Sequence, residues 1–236
     1  MTVRYTILIL THDRLELVQR CFDSLAITLA RPDVACIVLD NGSTDGTAEW
    51  LQQQCGMDNT DIELILSPDN LGVAGGRSEL LRHTNMTRER TVFLDSDVVI
   101  VDDSWLDILD NALEPENIGC VGPGGSFVLP DWSQFTACIP GLECDVIAGY
   151  CQMFKTKVLK AGVRLDLDFG IYWTEDSDFC MQIRAAGFDV WCIPTGIVHT
   201  PGLSGSAAND VQLQKNLTLF RDKWQGKGIA RCENAY

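Results

Sequence analysis

Strands and helices alternate through the first hundred residues, and this alternation leaves the chain few architectures. "RYTILIL" (4–10) is a run of β-branched and aliphatic residues that reads as a buried strand. "RLELVQRCFDSLAITLA" follows, with Leu15, Val18, Phe22 and Leu25 at helical spacing. "VACIVLD" is a second strand closed by the turn residues "NGSTDG". Then come a short helix "TAEWLQQQ", a strand "IELILS", a helix with a Gly-rich start "GVAGGRSELLRHT", and a fourth strand "TVFLD". Such alternation predicts an α/β fold: a single Rossmann-like domain with a mostly parallel central sheet flanked by helices. Ligands of these sheets bind outside the carboxyl ends of the strands. Asp40, Asp95 and the stretch Thr11, His12, Asp13, Arg14 all fall at such ends.

After Ile100 the pattern loosens. "SWLDILDNAL" reads as a helix, "GPGGSFVLPDW" as irregular, "CDVIAGYCQMFKT" as one strand, "EDSDFCMQIRAAG" as a helix and "FDVWCIP" as a strand. "NDVQLQKNLTLFRDKW" sets Leu213, Leu217, Phe220 and Trp224 on one stripe, a final amphipathic helix. With no repeat or long linker, residues 1–236 are expected to form one domain. Its first part is 1–101, its second, more variable part is 102–224, and 225–236 is a tail.

The formal charge of −15 argues against nucleic acid as a partner, because broad phosphate-backbone binding needs a basic face. It leaves room for one small anion where a metal or a few arginines invert the field. Ten cysteines show no C-x-x-C spacing, so they read as reduced, mostly buried thiols without zinc. No apolar stretch reaches membrane-spanning length and the amino terminus lacks a cleavable leader, which predicts a cytoplasmic protein. Peripheral association with a membrane and a homo-oligomer both stay compatible with the composition.

"TVFLDSDVVI" places Asp95 and Asp97 one residue apart. In extended backbone both carboxylates point to one face, where they repel unless a cation sits between them. The spacing recurs at Asp166/Asp168 and Asp176/Asp178, so alone it describes a polar strand end. Other stretches have equally plain readings. "LDNGSTDGT" is a turn, although Asp40 at a strand's mouth suits the N–H of a nucleobase. The glycines of "DNLGVAGGRS" ease helix–sheet packing, although a Gly-rich helix start also lets an anion approach, with Arg77 adding a charge-assisted hydrogen bond. Glu175 and Asp176 complement a helix dipole, yet they lie a turn before Phe179 on the side that turns inward, as a general base would. Asp178, sharing a face with Gln182, is expected to look outward. Tyr172 and Trp173 fill core or stack on a sugar. His199 is a polar loop residue or, near two aspartates, a third metal ligand.

Taken in order, "ILTHDR", "LDNGSTDGT", "DNLGVAGGRS", "FLDSD", "TEDSDFCMQIRAAGF" and "VHTPG" resemble glycosyltransferase family 2 with its GT-A fold, over about Thr6 to Trp224. The resemblance implies that Asp95 lies by the ribose and metal of a nucleoside-diphosphate sugar, and that Asp97 binds a divalent ion, Mn²⁺ or Mg²⁺. His199 would complete that site, Asp40 would read uracil or thymine, and Asp176, with Glu175 beside it, would deprotonate the acceptor. Thr11, His12, Asp13, Arg14, Asn70, Gly72, Arg77 and Ser96 fill out the donor-binding set, and Tyr172 and Trp173 face a glycan-type acceptor. Where relatives carry a Gly-Gly-Phe-Asp-Glu run this chain has "AGVRLDLDFGIYW", so acceptor identity does not carry over. The absence of Q-x-x-R-W argues against a processive polysaccharide synthase.

These parts suit an inverting, metal-dependent sugar transfer from a UDP- or dTDP-linked donor to a hydroxyl. Two rivals remain. A sugar-nucleotide pyrophosphorylase would carry a Gly-rich basic loop after the first strand, where this chain has "THDRLELVQR". A non-catalytic nucleotide-sugar or glycan-binding module would have no use for Asp176 as a base.

Overall fold

The computed structural model describes residues 3–55, 62–133, 135–200 and 207–233. Two parts of the sequence reading therefore lie outside the described residues: Pro201 and Gly202 of "VHTPG", and the last three residues of the tail. Strands β1 (Tyr5–Thr11), β2 (Val34–Asn41), β3 (Ile62–Ser67) and β4 (Arg90–Asp95) alternate with helices α1 (Leu15–Leu29), α2 (Thr47–Cys55) and α3 (Gly72–His83), as expected. β5 (Val98–Ile100), α4 (Trp105–Ala112), β6 (Ile118–Gly122), β7 (Gly125–Val128) and β8 (Phe135–Ala137) come next. β9 (Glu143–Cys144), β10 (Val146–Ile147), β11 (Cys151–Lys155) and α5 (Lys157–Lys160) precede α6 (Glu175–Ala185), β12 (Asp189–Cys192), β13 (Ile197–His199) and α7 (Ala207–Trp224).

The central sheet runs β3-β2-β1-β4-β11-β6-β12-β9. Its first four strands are mutually parallel, and β11 pairs antiparallel with both β4 and β6. Side chains alternate between two cores, as the period-two pleat requires. Ile7, Ile9, Val38, Val92 and Leu94 pack on one face with α1 and α4, and Leu8, Ile37, Leu39 and Phe93 pack on the other with α3 and α6. On that second face Phe93, Phe154 and Phe179 meet with ring centroids 5.1–5.5 Å apart. From β1 the chain first moves outward through β2 and β3, then crosses back to β4 on β1's other side. The order reverses between β1 and β4, and the crevice at such a reversal is where open α/β sheets hold ligands.

Three sequence expectations need correction. "GPGGSFVLPDW" is not irregular: it carries β7, in a small sheet ordered β10-β7-β8. "CDVIAGYCQMFKT" is not one strand but three, broken at Asp145 and over 148–150. Asp178 does not look outward. It is fully buried, accepting hydrogen bonds from Trp224 Nε1 (2.7 Å), Lys223 Nζ (3.0 Å) and Gln182 Nε2 (2.7 Å). Helix periodicity gave it a polar face, but α7 lies across that face and supplies two of the three partners, Lys223 and Trp224.

Gly72 opens α3 with φ +72°, and a Cβ there would sit 2.7 Å from Ile171 Cα. Gly72→Ala should therefore cost about 1–3 kcal/mol, from left-handed strain and from separating this turn from residues 170–171. An unchanged urea midpoint for this variant would contradict that close approach.

Candidate active site

A cleft of about 1310 Å³ opens at the carboxyl ends of β1 and β4. Thr11, His12, Asp13, Arg14, Asn70, Gly72, Arg77, Asp95, Ser96 and Asp97 line it from the first half of the chain. Tyr172, Trp173, Glu175, Asp176 and His199 line it from the second. Asp40 is not among the lining residues. It is 2% exposed and its Oδ1 accepts the Ser43 N–H (3.1 Å), so the carboxylate closes the turn after β2 while Asn41 reaches the cleft.

The rim of the cleft is stitched from several loops. Asp13 and Arg14 both adopt left-handed backbone, at φ 53° and 61°, which costs non-glycine residues of order 1–3 kcal/mol each. Asp13 N–H donates to Ser43 Oγ (2.8 Å), its Oδ1 accepts from Thr44 N–H (2.7 Å), and Leu15 N–H donates to Asp45 (3.0 Å). Opposite, Trp173 and Thr174 are also left-handed, at φ 79° and 67°. Fully buried Asn216 of α7 holds that segment through Phe169, Tyr172 and Trp173 carbonyls at 2.7–3.0 Å.

The amino end of α3 is not an open anion seat. Leu71 N–H donates to Asn41 Oδ1, Gly72 N–H to Asn70 Oδ1 and Val73 N–H to the Ile171 carbonyl (2.6–2.9 Å). Gly76 serves packing: a Cβ there would meet Leu10 at 2.4 Å. Arg77 is engaged through Nη2, while its Nη1 is buried with no hydrogen-bond partner among the described residues. At 3% exposure its Nη2 donates to Asp95 Oδ1 (2.7 Å) and the Gly149 carbonyl (2.8 Å), and its Nη1 lies 3.8 Å from Glu175.

Asp95, Asp97 and His199 each present a ligand atom, and these atoms lie within 4.8 Å of one another. Asp97 lies in the turn between β4 and β5 rather than in extended backbone, so chain reversal, not strand alternation, brings the two carboxylates together. β13 pairs with β5 and sets His199 opposite Val98. The imidazole stacks on Tyr150 (4.7 Å, 5° between planes), with Nε2 3.2 Å from Asp97 Oδ1. That oxygen is buried and lacks a hydrogen-bond partner among the described residues. Two carboxylates and an imidazole around an unsatisfied oxygen suit a divalent cation. The carboxylate of Asp97 raises the His199 pKa.

Asp176 and Glu175 differ although they are adjacent. Asp176 is half-buried, and Oδ2 accepts the Gly149 N–H (2.7 Å) while Oδ1 accepts the Ser177 N–H (2.6 Å). Its pKa is raised by burial, against the pull of Arg77. Glu175 is 5% exposed, with Oε2 unpartnered. Burial, reinforced by Asp176, pushes it up to about 8. Its folded pKa thus exceeds the unfolded one, so stability is full in acid and falls as pH rises between the two values. Glu175→Gln should stabilise the chain by about 1–3 kcal/mol near pH 7.5 and by nothing near pH 4. Melting temperatures at both pH values check this, and a gain of equal size at each would refute it.

Gly149, Tyr150, Asn41 and Asn216 escaped the sequence reading. Only Gly149 carried a signal, as a glycine within an apolar run, where backbone often approaches another group closely.

A sequence profile described as "Glycosyl transferase family 2" matches residues 6–138, more than half of the chain. The chain belongs to this family. No curated protein matches in sequence. Among solved structures, this family 2 chain is similar to the mannosyltransferase PcManGT from Pyrobaculum calidifontis, in complex with GDP-Man and Mn²⁺ (18% identity, TM-score 0.76, all of this chain and 69% of that one). It is also similar to GalNAc-T7 with UDP, GalNAc and Mn²⁺ (12%, 0.74, 95% and 48%) and to S. aureus TarS 1–349 (16%, 0.62, 84% and 60%). The chain thus spans about half to two thirds of those chains, and at these identities the likeness establishes the GT-A fold alone. Among the described residues no helix is long and apolar enough to cross a membrane.

Proposed function

We propose that this family 2 glycosyltransferase is an inverting enzyme that moves a sugar from a nucleoside diphosphate, UDP- or dTDP-linked, to a hydroxyl of a glycan-type acceptor. The observation that carries the reading is the juxtaposition in one cleft of the Asp95–Asp97–His199 cluster and the Asp176 carboxylate. Asp95, Asp97 and His199 would hold Mn²⁺ or Mg²⁺, and the similar structures that contain Mn²⁺ support that choice. When bound, the ion supplies Lewis-acid stabilisation of a diphosphate leaving group. Arg14, 3.6 Å from Asp97, adds positive charge at the same rim. Residues 1–101 supply the donor side, and 102–224 supply the acceptor side together with His199 of the metal cluster.

Asp176 accepts the acceptor hydroxyl's proton as that oxygen attacks the anomeric carbon from the face opposite the leaving group, which inverts the configuration. Its carboxylate is oriented by Gly149 and Ser177 and opens on the cleft more than Glu175 does. Glu175 keeps its proton at neutral pH and completes the wall against Arg77. Trp173, 37% exposed, and Tyr172 offer aromatic faces for an acceptor sugar.

Incubating the protein with UDP- and dTDP-sugars, with and without Mn²⁺, tests the reading. Slow metal-dependent release of nucleoside diphosphate is expected. Binding without any release would favour a non-catalytic module.

A further inference from the structure

At the opposite, amino-terminal end of the parallel strands, about 17 Å along β4 from Asp95, lies a second cleft of about 380 Å³. Arg4, Arg88, Arg90, Lys155, Lys157 and Lys160 line it. That is six of the chain's 18 basic residues, in a protein of net charge −15. Arg4 and Arg90 are neutralised by Glu114 and buried Asp110, and Lys157 by Glu116. Arg88, Lys155 and Lys160 have no carboxylate within ion-pair distance among the described residues. Among the described residues the Arg88 guanidinium donates only to Thr6 Oγ1.

Lys155 is the most costly of the three. It is 4% exposed, its ammonium donates to the Pro115 carbonyl, and it stands directly across the β4–β11 ladder from Arg90, itself 7% exposed. Burial and the neighbouring Lys157 accordingly depress its pKa. An anion seated beside the Lys155 ammonium would offset the cost of burying it without a carboxylate partner.

We propose that this cleft is a second ligand site, separate from the catalytic one, that takes a compact, dissolved phosphate-type anion. The concavity matches a small ligand. The net charge of −15 repels an extended polyanion such as an anionic bilayer, whereas screening beyond about 8 Å leaves a small anion in the cleft to the charges around it, among which Arg88, Lys155 and Lys160 are uncompensated.

Titration calorimetry of the full chain with pyrophosphate in EDTA, which removes metal from the catalytic cleft, tests the assignment. The Arg88→Gln/Lys160→Gln double variant alters only surface cations outside the catalytic machinery. Each lost charge-assisted contact should weaken binding roughly tenfold. Unchanged affinity in the double variant, or no binding by the parent chain, would overturn the proposal. So would binding to phosphatidylglycerol vesicles without binding to pyrophosphate, which would assign the patch to a lipid surface instead.

Discussion

Asp176→Asn is expected to lower sugar transfer by roughly two orders of magnitude or more while the donor still binds. Three acids open α6, and each has a different fate. Asp178 is buried against Lys223 and Trp224 and cannot meet a substrate. Glu175 is buried, and burial with Asp176 beside it raises its pKa and favours the protonated form. Asp176 has its two oxygens fixed by Gly149 and Ser177 and faces the cleft. The amide removes the proton acceptor at the cost of one of the two backbone N–H contacts, and leaves the Asp95, Asp97 and His199 cluster untouched. Turnover measured beside donor affinity for Asp176→Asn and Glu175→Gln separates the two acids. Full transfer by Asp176→Asn, with loss in Glu175→Gln, would move the base to Glu175.

Asp97→Ala should abolish most of the Mn²⁺-dependent affinity for a nucleoside diphosphate, by at least roughly tenfold. Asp97 lies beside two cationic or coordinating groups, His199 Nε2 at 3.2 Å and Arg14 at 3.6 Å. Asp95 cannot compensate, because one of its oxygens is already committed to buried Arg77. His199→Gln should weaken the metal less. In the parent, metal affinity should fall as pH drops through the raised imidazole pKa, since only the neutral ring coordinates. Calorimetry at about pH 8 and about pH 6 reads both effects. Equal Mn²⁺ dependence in Asp97→Ala and the parent would remove the metal from this cluster.

The order of β1 to β4 and α1 to α3 was legible in the residues alone, because each element carries its own period and its own punctuation. Buried strands read as continuous aliphatic runs, helices as stripes, and "NGSTDG" as a turn. Asp95 at the mouth of β4 followed from the same pattern. The second half was less readable because its strands are short: β9 and β10 have two residues each and β8 has three, too few for a period to emerge. Periodicity also does not say what covers a polar face. Asp178 and Gln182 are one polar side of a helix in either case, and only the crossing of α7 decides that the side is interior.

The sequence by itself determined the residue types at the carboxyl ends of the sheet, since strand, turn and helix signals are local. Tertiary structure alone decided how those residues are used. Asp40 is spent on its turn and the α3 amides on Asn41, Asn70 and Ile171, while Arg77 is shared among Asp95, Gly149 and Glu175. The physical reason is that a hydrogen bond or a charge pair depends on a partner distant in the chain. Asp95 and Gly149 meet on one nitrogen of a single guanidinium, and no local pattern records that they do.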